Sequence, residues 1–489
     1  MALNLDSPQS LNRETRLGSI TGYAGTFQDL TKKGCAGCLS NKKRCFATPS
    51  TCSHVHSINQ LAAIDDVAVI DHAPLGCSGS IIYYTVGHNK RRSDHFDGKK
   101  RLAVVVSSNM KESDTIFGGT EKLRETILAV HKRHKPKAIY VVSSCVSSII
   151  GDDIYSVTQD ASLELGIPVG FASGEGIRSK IWSSGFDAYC HAVSRTLLDA
   201  PLEKNNTVNY IAFTKINREN LDPFMHRLGL DVIYLTGGAT IEDYKSASRS
   251  LASFGQCGSQ SSYLAGALEQ MFGVKYFQSH LPFGGVGFER FYRDLARYLG
   301  KLDIAETVIL EEREFYADEL AILREKLKGK KAFVALGASY AFEYVRMLHE
   351  LGMEASHVVA YHYDPHLDNV SDEPVAAAAD AIEIGYDFSV SVNDAQESET
   401  YLLMKRHPAD IFISRSHAGG LWAAKTGIPT MEADIGLDII GYRGLVSFGK
   451  GIVSKLSNTN FTLNLGKRYK SPFTEEFESR NPYFFEDDA

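Results

Sequence analysis

Past residue 60 the chain alternates short β-branched runs with longer stretches whose apolar residues recur at helical spacing. Arg101-Leu102-Ala103-Val104-Val105-Val106 reads as a buried strand. Thr120 to His134 carries Leu123, Ile127, Leu128 and Val130 with charges between them, which predicts a helix. Ala138 to Ser143 and Ile167 to Phe171 are the next strands, and Phe186 to Leu198 the next helix. Pro201 to Thr207 is polar and reads as a linker. A second unit opens with the strands Asn209 to Phe213 and Asp231 to Leu235. A long charged helix, Ile304 to Leu327, leads into a third unit with strands at Lys331 to Leu336, Val358 to Ala360 and Asp410 to Ile413. Strands separated by helices of this length predict an α/β chain of parallel sheets flanked by helices. The expected organisation is an irregular, cysteine-rich segment (1–60) and three Rossmann-like domains (61–203, 204–328 and 329–489).

Composition narrows the function classes. A net charge of -7 over 489 residues leaves no dense basic field for a nucleic acid. The basic stretch Lys90 to Arg101 reads as a solvated loop, with a docking surface for an acidic partner as the alternative. No apolar run approaches the ~20 residues that span a bilayer. Met1 to Arg16 lacks the apolar centre of a signal peptide, so a cytoplasmic protein is expected. No Gly-x-x-x-x-Gly-Lys-Ser/Thr loop is present, so any ATP hydrolysis belongs to another protein.

In a reducing compartment, eight cysteines suggest metal or redox chemistry rather than a disulfide scaffold. Cys52, Cys77 and Cys145 come from three separate segments. Cys77 follows the turn His72-Ala73-Pro74-Leu75-Gly76, and Cys145 follows the strand ending at Ser143. Ligands bind at the C-terminal ends of parallel strands, and a Pro/Gly turn lets backbone approach a bulky cluster. Three such thiols suggest a buried iron–sulfur centre. Cys35, Cys38, Cys45 and Cys52 also form a run that could hold zinc or a small iron–sulfur cluster, in which case Cys52 would serve that site instead. Cys190 reads as a packing residue within a helix. Cys257 precedes a helix from Tyr263 to Phe272, where the dipole and free amides stabilise a thiolate. Gly255 and Gly258 flank it and leave room for something large.

With these residues in view the chain resembles the nitrogenase component 1 superfamily, specifically its α-type, cofactor-bearing subunits. The likeness runs from about Gly34 to Gly444. It rests on Ala73-Pro74-Leu75-Gly76-Cys77, on Cys145 with Ile149 to Ile154, and on Gly174-Glu175-Gly176-Ile177-Arg178. Further pieces are Cys257 with Phe272-Gly273-Val274, Pro282-Phe283-Gly284, Leu351 to Glu354, Gly427-Ile428-Pro429 and Gly441-Tyr442-Arg443-Gly444. The resemblance implies that Cys52, Cys77 and Cys145 bind a P-type 8Fe-7S cluster shared with a homologous β-type subunit in an α2β2 heterotetramer. It implies that Cys257 ligates a large active-site iron–sulfur cofactor, and that a separate ATP-hydrolysing iron protein supplies electrons.

Departures from the family pattern direct the reading further. Where the family holds the far metal with a histidine, this chain has Asp434, with His417 as the second candidate. Trp182 and Phe186 stand where nitrogenases carry a glutamine and a histidine, and Thr85 replaces an arginine. His362 and His366 could line the pocket and supply protons near neutral pH. A more apolar pocket suits an apolar substrate, so the chain is similar to the methylthio-alkane reductases of bacterial sulfur salvage. These cleave C–S bonds of small thioethers, releasing methanethiol and a hydrocarbon. A cofactor-assembly scaffold and a divergent nitrogenase are the alternatives.

Overall fold

The computed structural model describes residues 3–32, 52–79, 103–200, 203–211, 218–235, 237–278, 280–368, 386–393, 397–415, 417–433 and 438–482, with the side chains of residues 417 and 418 outside this set. Cys35, Cys38, Cys45, Thr85, Asp434 and the basic stretch at 90–101 lie outside the described residues. The chain divides into two compact units, one formed by 1–16, 51–215 and 230–277, the other by 17–50, 216–229 and 278–489.

The first unit holds two four-stranded parallel sheets. In one, the strands run in the spatial order Val104–Ser107, Val67–His72, Ala138–Ser143, Val169–Ala172. The central strands Val67–His72 and Ala138–Ser143 are buried along their whole length, as their continuous apolar sequence requires of parallel strands covered on both faces. In the other sheet the order is Asp231–Leu235, Thr207–Ile211, Ala252–Gly255, Lys275–Tyr276. One core cluster joins side chains of both sheets, among them Val69, Tyr140, Ile211 and Leu235, with Cys190 fully buried in it.

The second unit is built on a six-stranded sheet in the order Tyr23–Thr26, Ser389–Val392, Glu354–Ala360, Lys331–Leu336, Ile411–Ser414, Thr430–Glu432. Only Tyr23–Thr26 runs antiparallel, against Ser389–Val392. The helices Thr120–His134 and Leu302–Leu327 lie where the apolar periodicity places them. The first sixty residues carry more regular structure than their composition suggests. Helices Arg13–Leu17, Phe27–Lys32 and Ser53–Leu61 form there, along with the edge strand, because Phe27, Leu30, Ile58 and Leu61 find a core made by distant residues. No described helix is long and apolar enough to cross a membrane.

Buried neutral histidines make both units acid-sensitive. Burial holds His191 in the first unit and His280 in the second at about 4, from an ordinary 6.5. His357 is also buried and lies well below 6.5; its ring stacks on His407 with centroids 4.3 Å apart. Unfolding lets each imidazole take a proton below 6.5 that the folded state refuses until about 4, so stability is intact above 6.5 and falls as the pH drops between those values. Each of His191 and His280 accounts for about 3 kcal/mol once pH 4 is reached. Denaturant midpoints measured from pH 7.5 down to 5.5 should decline steadily, and His191→Gln should flatten that decline.

Candidate functional site: a three-thiol cradle at a sheet edge

The strands of the sheet built on Val67–His72 end at the same edge, and Cys77 and Cys145 follow two of those ends. Cys77 sits in a short helical stretch, residues 75–79, that follows the bend after His72, its N–H donating to Pro74 O at 3.0 Å. Ser144 leaves the end of Ala138–Ser143 as the cap of the short helix Cys145–Ile149, its hydroxyl accepting from the Ser147 N–H at 3.2 Å. This puts Cys145 on the first residue of that helix. Cys52 reaches the edge from elsewhere in sequence, as the extended residue that precedes the helix Ser53–Leu61. All three thiols are free and half-buried.

Gly176, in the turn after Val169–Ala172, shows that Cys52 and Cys145 meet. A Cβ there would lie 3.2 Å from Cys52 Cβ, 3.8 Å from Cys52 Sγ and 3.9 Å from Cys145 Sγ. A side chain at this position would therefore enter the space between the thiols. The neighbouring Gly76 faces open space. Burial, then the Asp71 carboxylate, then the Cys145 and Cys52 sulfurs push the Cys77 thiol up.

A polar floor fixes the strand ends. His54 bridges Ser143 O and Asp71 Oδ1, both at 2.8 Å, and Ser78 Oγ donates to Asp71 Oδ2 at 2.5 Å. Ser143 Oγ donates to Glu175, which in turn pairs with Arg178 at 3.1 Å. Among the described residues no three His, Cys, Asp or Glu side chains converge on a single ion. Three free thiols are a donor set that an iron–sulfur cluster takes. Cationic metal there would also offset the rise in the Cys77 thiol, since the thiolate is the ligating form.

The helix Ser53–Leu61 carries the site away from the cradle. One turn past Cys52, the His56 ring meets Trp182 at a tilt of 34° with ring centroids 4.5 Å apart, and Phe186 meets both rings edge-on at 5.4 and 5.8 Å. Trp182 and Phe186 are thus brought together, with Phe186 almost fully buried. The helix Ser184–Thr196 approaches closely because Gly185 has no side chain; a Cβ there would lie 2.3 Å from Ser53 O. About 12 Å along the helix axis from Cys52, Gln60 accepts a 3.0 Å hydrogen bond from Gln260 Nε2. Gln260 lies three residues beyond Cys257. His56 and Gln60 escaped the sequence reading, although the Cys52–His56 spacing of four residues on a helix placed them on one face.

Cys257 caps the helix Gly258–Phe272, which starts five residues earlier than its apolar pattern suggests, and the thiol is buried. Its flanking Gly255 does not leave the expected room. A Cβ there would lie 2.2 Å from Ser261 Cβ and 3.0 Å from Ile211 O, so the glycine serves strand-to-helix packing. Cys190 is inert: burial first, then Asp187, pushes its thiol up.

The remaining candidates belong to the second unit. His362 is buried beside the C-terminal ends of Lys331–Leu336 and Glu354–Ala360, its Nδ1 3.4 Å from Asp364 and its Nε2 3.9 Å from where a Gly337 Cβ would sit. His366 is exposed on the single turn Pro365–Asp368. His417 opens the helix His417–Lys425.

Fold and site together define an α/β protein with a multi-thiol centre at the C-terminal edge of a parallel sheet. The chain belongs to the nitrogenase component 1 type oxidoreductases, whose family model matches residues 52–457. It is 30% identical over 309 residues to the nitrogenase molybdenum-iron protein alpha chain of Clostridium pasteurianum, covering 60% of this chain and 56% of that one. The alpha chain of Methanosarcina barkeri is 26% identical over 80% of this chain and 82% of its own length. The nitrogenase iron-molybdenum cofactor biosynthesis protein NifE of the same organism is 27% identical over 86% and 91% respectively. The solved structure "Nitrogenase Cp1 at pH 6.5" superposes with a TM-score of 0.71 at 22% identity, covering 88% of this chain and 92% of that one, which shows the shared fold.

Proposed function

We propose that this chain is the catalytic α-type subunit of a nitrogenase-like reductase that cleaves the C–S bond of small methylthio-alkanes. Cys52, Cys77 and Cys145 would hold one half of a P-type cluster, and Cys257 would bind the active-site iron–sulfur cofactor with Asp434 or His417 as a second ligand. The clusters, when bound, store and relay electrons. Cleaving a thioether to methanethiol and a hydrocarbon consumes two electrons and two protons, one proton ending on sulfur and one on carbon. The chain's own part is to orient the thioether, exclude water and bring protons, with Trp182 and Phe186 forming an apolar wall and His362 and His366 as proton carriers.

The observation that carries the reading is the aromatic group that His56, on the helix that leaves Cys52, makes with Trp182 and Phe186. Rings offer an alkyl thioether dispersion contacts and few competing hydrogen bonds. A partner β-type subunit is supported by the rim of the cradle. Leu75, Ile116, Phe117, Ile149 and Ile177 lie in the four connections that leave the strand ends, and they are 59–87% exposed. Apolar side chains grouped around half-buried thiols suit a surface that another chain covers. Electrons would come from a separate ATP-hydrolysing iron protein.

The test is anaerobic isolation with the partner subunit and iron protein, followed by gas chromatography with ethyl methyl sulfide. Ethane and methanethiol in equal amounts are expected, and Trp182→Gln should cut the rate at least tenfold. Absence of hydrocarbon with all components present would overturn the reading. The similarity to NifE over 86% of this chain favours one other reading, a scaffold that holds a precursor cluster and passes it on. Transfer of cluster iron to an acceptor chain without hydrocarbon release would establish that alternative.

A further inference from the structure

A cavity lined by none of the thiols lies beside the edge strand Val169–Ala172. It has a volume of about 410 Å³ and opens between the helices Ile154–Leu165 and Ser184–Thr196. Its wall includes Tyr155 and Gln159 from the first helix, Ile167 and Phe171 from the strand and its approach, and Arg195 and Thr196 from the second helix. That size falls within the range of small-molecule sites.

Arg195 gives the cavity its chemistry. Its Nη2 donates to Tyr155 Oη at 3.0 Å, and its guanidinium carbon lies 5.1 Å from the centroid of the same ring. Both contacts are to a neutral group, and among the described residues Arg195 has no ion pair. The ring and hydroxyl hold the fork in place, while its other N–H donors stay available to a ligand. The Tyr155 hydroxyl accepts from Arg195, so its own proton is left to donate into the cavity. The other hydroxyls are committed inward: Ser162 donates to Ile167 O, and Thr196 is paired with Tyr140 and Ala192. The Arg195 charge is felt in the interior, where it helps lower His191.

We propose that this cavity binds a small organic monocarboxylate, its carboxylate on Arg195 and Tyr155 and its apolar body against Ile167 and Phe171. One guanidinium with no second cation matches a single negative charge better than a phosphate dianion. The planar fork matches the two oxygens of a carboxylate. Ile167 and Phe171 offer no partner to a polar tail. Gln159, exposed at the mouth, is placed to contact a ligand on entry.

The test is isothermal titration of the anaerobically purified full chain at pH 7.5 with acetate, propionate and benzoate, and with benzamide as the neutral match to benzoate. Saturable binding that strengthens from acetate to benzoate is expected, with benzamide at least tenfold weaker. Arg195→Met should weaken benzoate at least tenfold and Arg195→Lys less. Gln159→Glu, at an exposed position that the fold does not depend on, should weaken it several-fold by repulsion. Each measurement is paired with a circular dichroism spectrum. No saturable binding by any of the three acids would overturn the proposal, as would equal affinity for benzamide or unchanged affinity in both Arg195→Met and Gln159→Glu.

Discussion

Cys145→Ala is expected to strip the cradle of most of its bound iron and to lower reductase turnover at least tenfold, with the fold intact. The strand Ala138–Ser143 and the Ser144 cap position this thiol by backbone hydrogen bonds that do not involve sulfur, so the variant should keep its native circular dichroism. Cys190→Ala is the matched control. That thiol is fully buried in a core cluster, and burial pushes its pKa up. Its loss should cost about 1 kcal/mol of packing and leave iron unchanged. Iron per chain by colorimetric assay, with electron paramagnetic resonance of the reduced complex, separates the two. Equal iron in Cys145→Ala and the parent chain would refute the role of the cradle.

Asp187→Ala should destabilise the first unit by about 3–5 kcal/mol, a large part of what usually holds a domain together. Asp187 has no solvent exposure and pairs with two arginines, Arg13 at 2.8 Å and Arg16 at 2.7 and 3.0 Å. Removing the carboxylate leaves two cations in the interior. The arginines contact rings as well, Arg16 over Tyr263 at 5.2 Å and Arg13 near Phe186 at 5.9 Å, and these contacts cannot replace the lost charge. Asp187 directly follows Phe186, so the loss should also loosen the aromatic group. Urea unfolding followed by Trp182 fluorescence in a Trp422→Phe background would report both effects, since the chain has two tryptophans. A midpoint shift worth less than about 1 kcal/mol would mean that water or a rearranged carboxylate replaces the contact.

Much of the framework was legible because strands write themselves as short β-branched apolar runs and helices as apolar residues at helical spacing. Thr120–His134, Ala138–Ser143 and Asp231–Leu235 were readable to the residue. The starts of Ser184–Thr196 and Gly258–Phe272 were not, because small residues begin both helices and only tertiary burial holds them. The edge strand Tyr23–Thr26 was missed for a related reason. Its partner, Ser389–Val392, lies more than three hundred residues away, and no local pattern announces that pairing.

The sequence by itself determined the α/β class, the turn-adjacent placement of Cys77 and Cys145, and the core role of Cys190. These follow from short-range periodicity and from residue types whose preferences act locally. Tertiary structure alone decided that Cys52 meets Cys145 beside Gly176, and that His56 closes an aromatic group with Trp182 and Phe186. It also decided that Gly255 is filled by Ser261 rather than left open, and that Arg195 faces a cavity. Such facts depend on which distant segments share a boundary. That is set by the packing of whole sheets and helices, which no window of the chain contains.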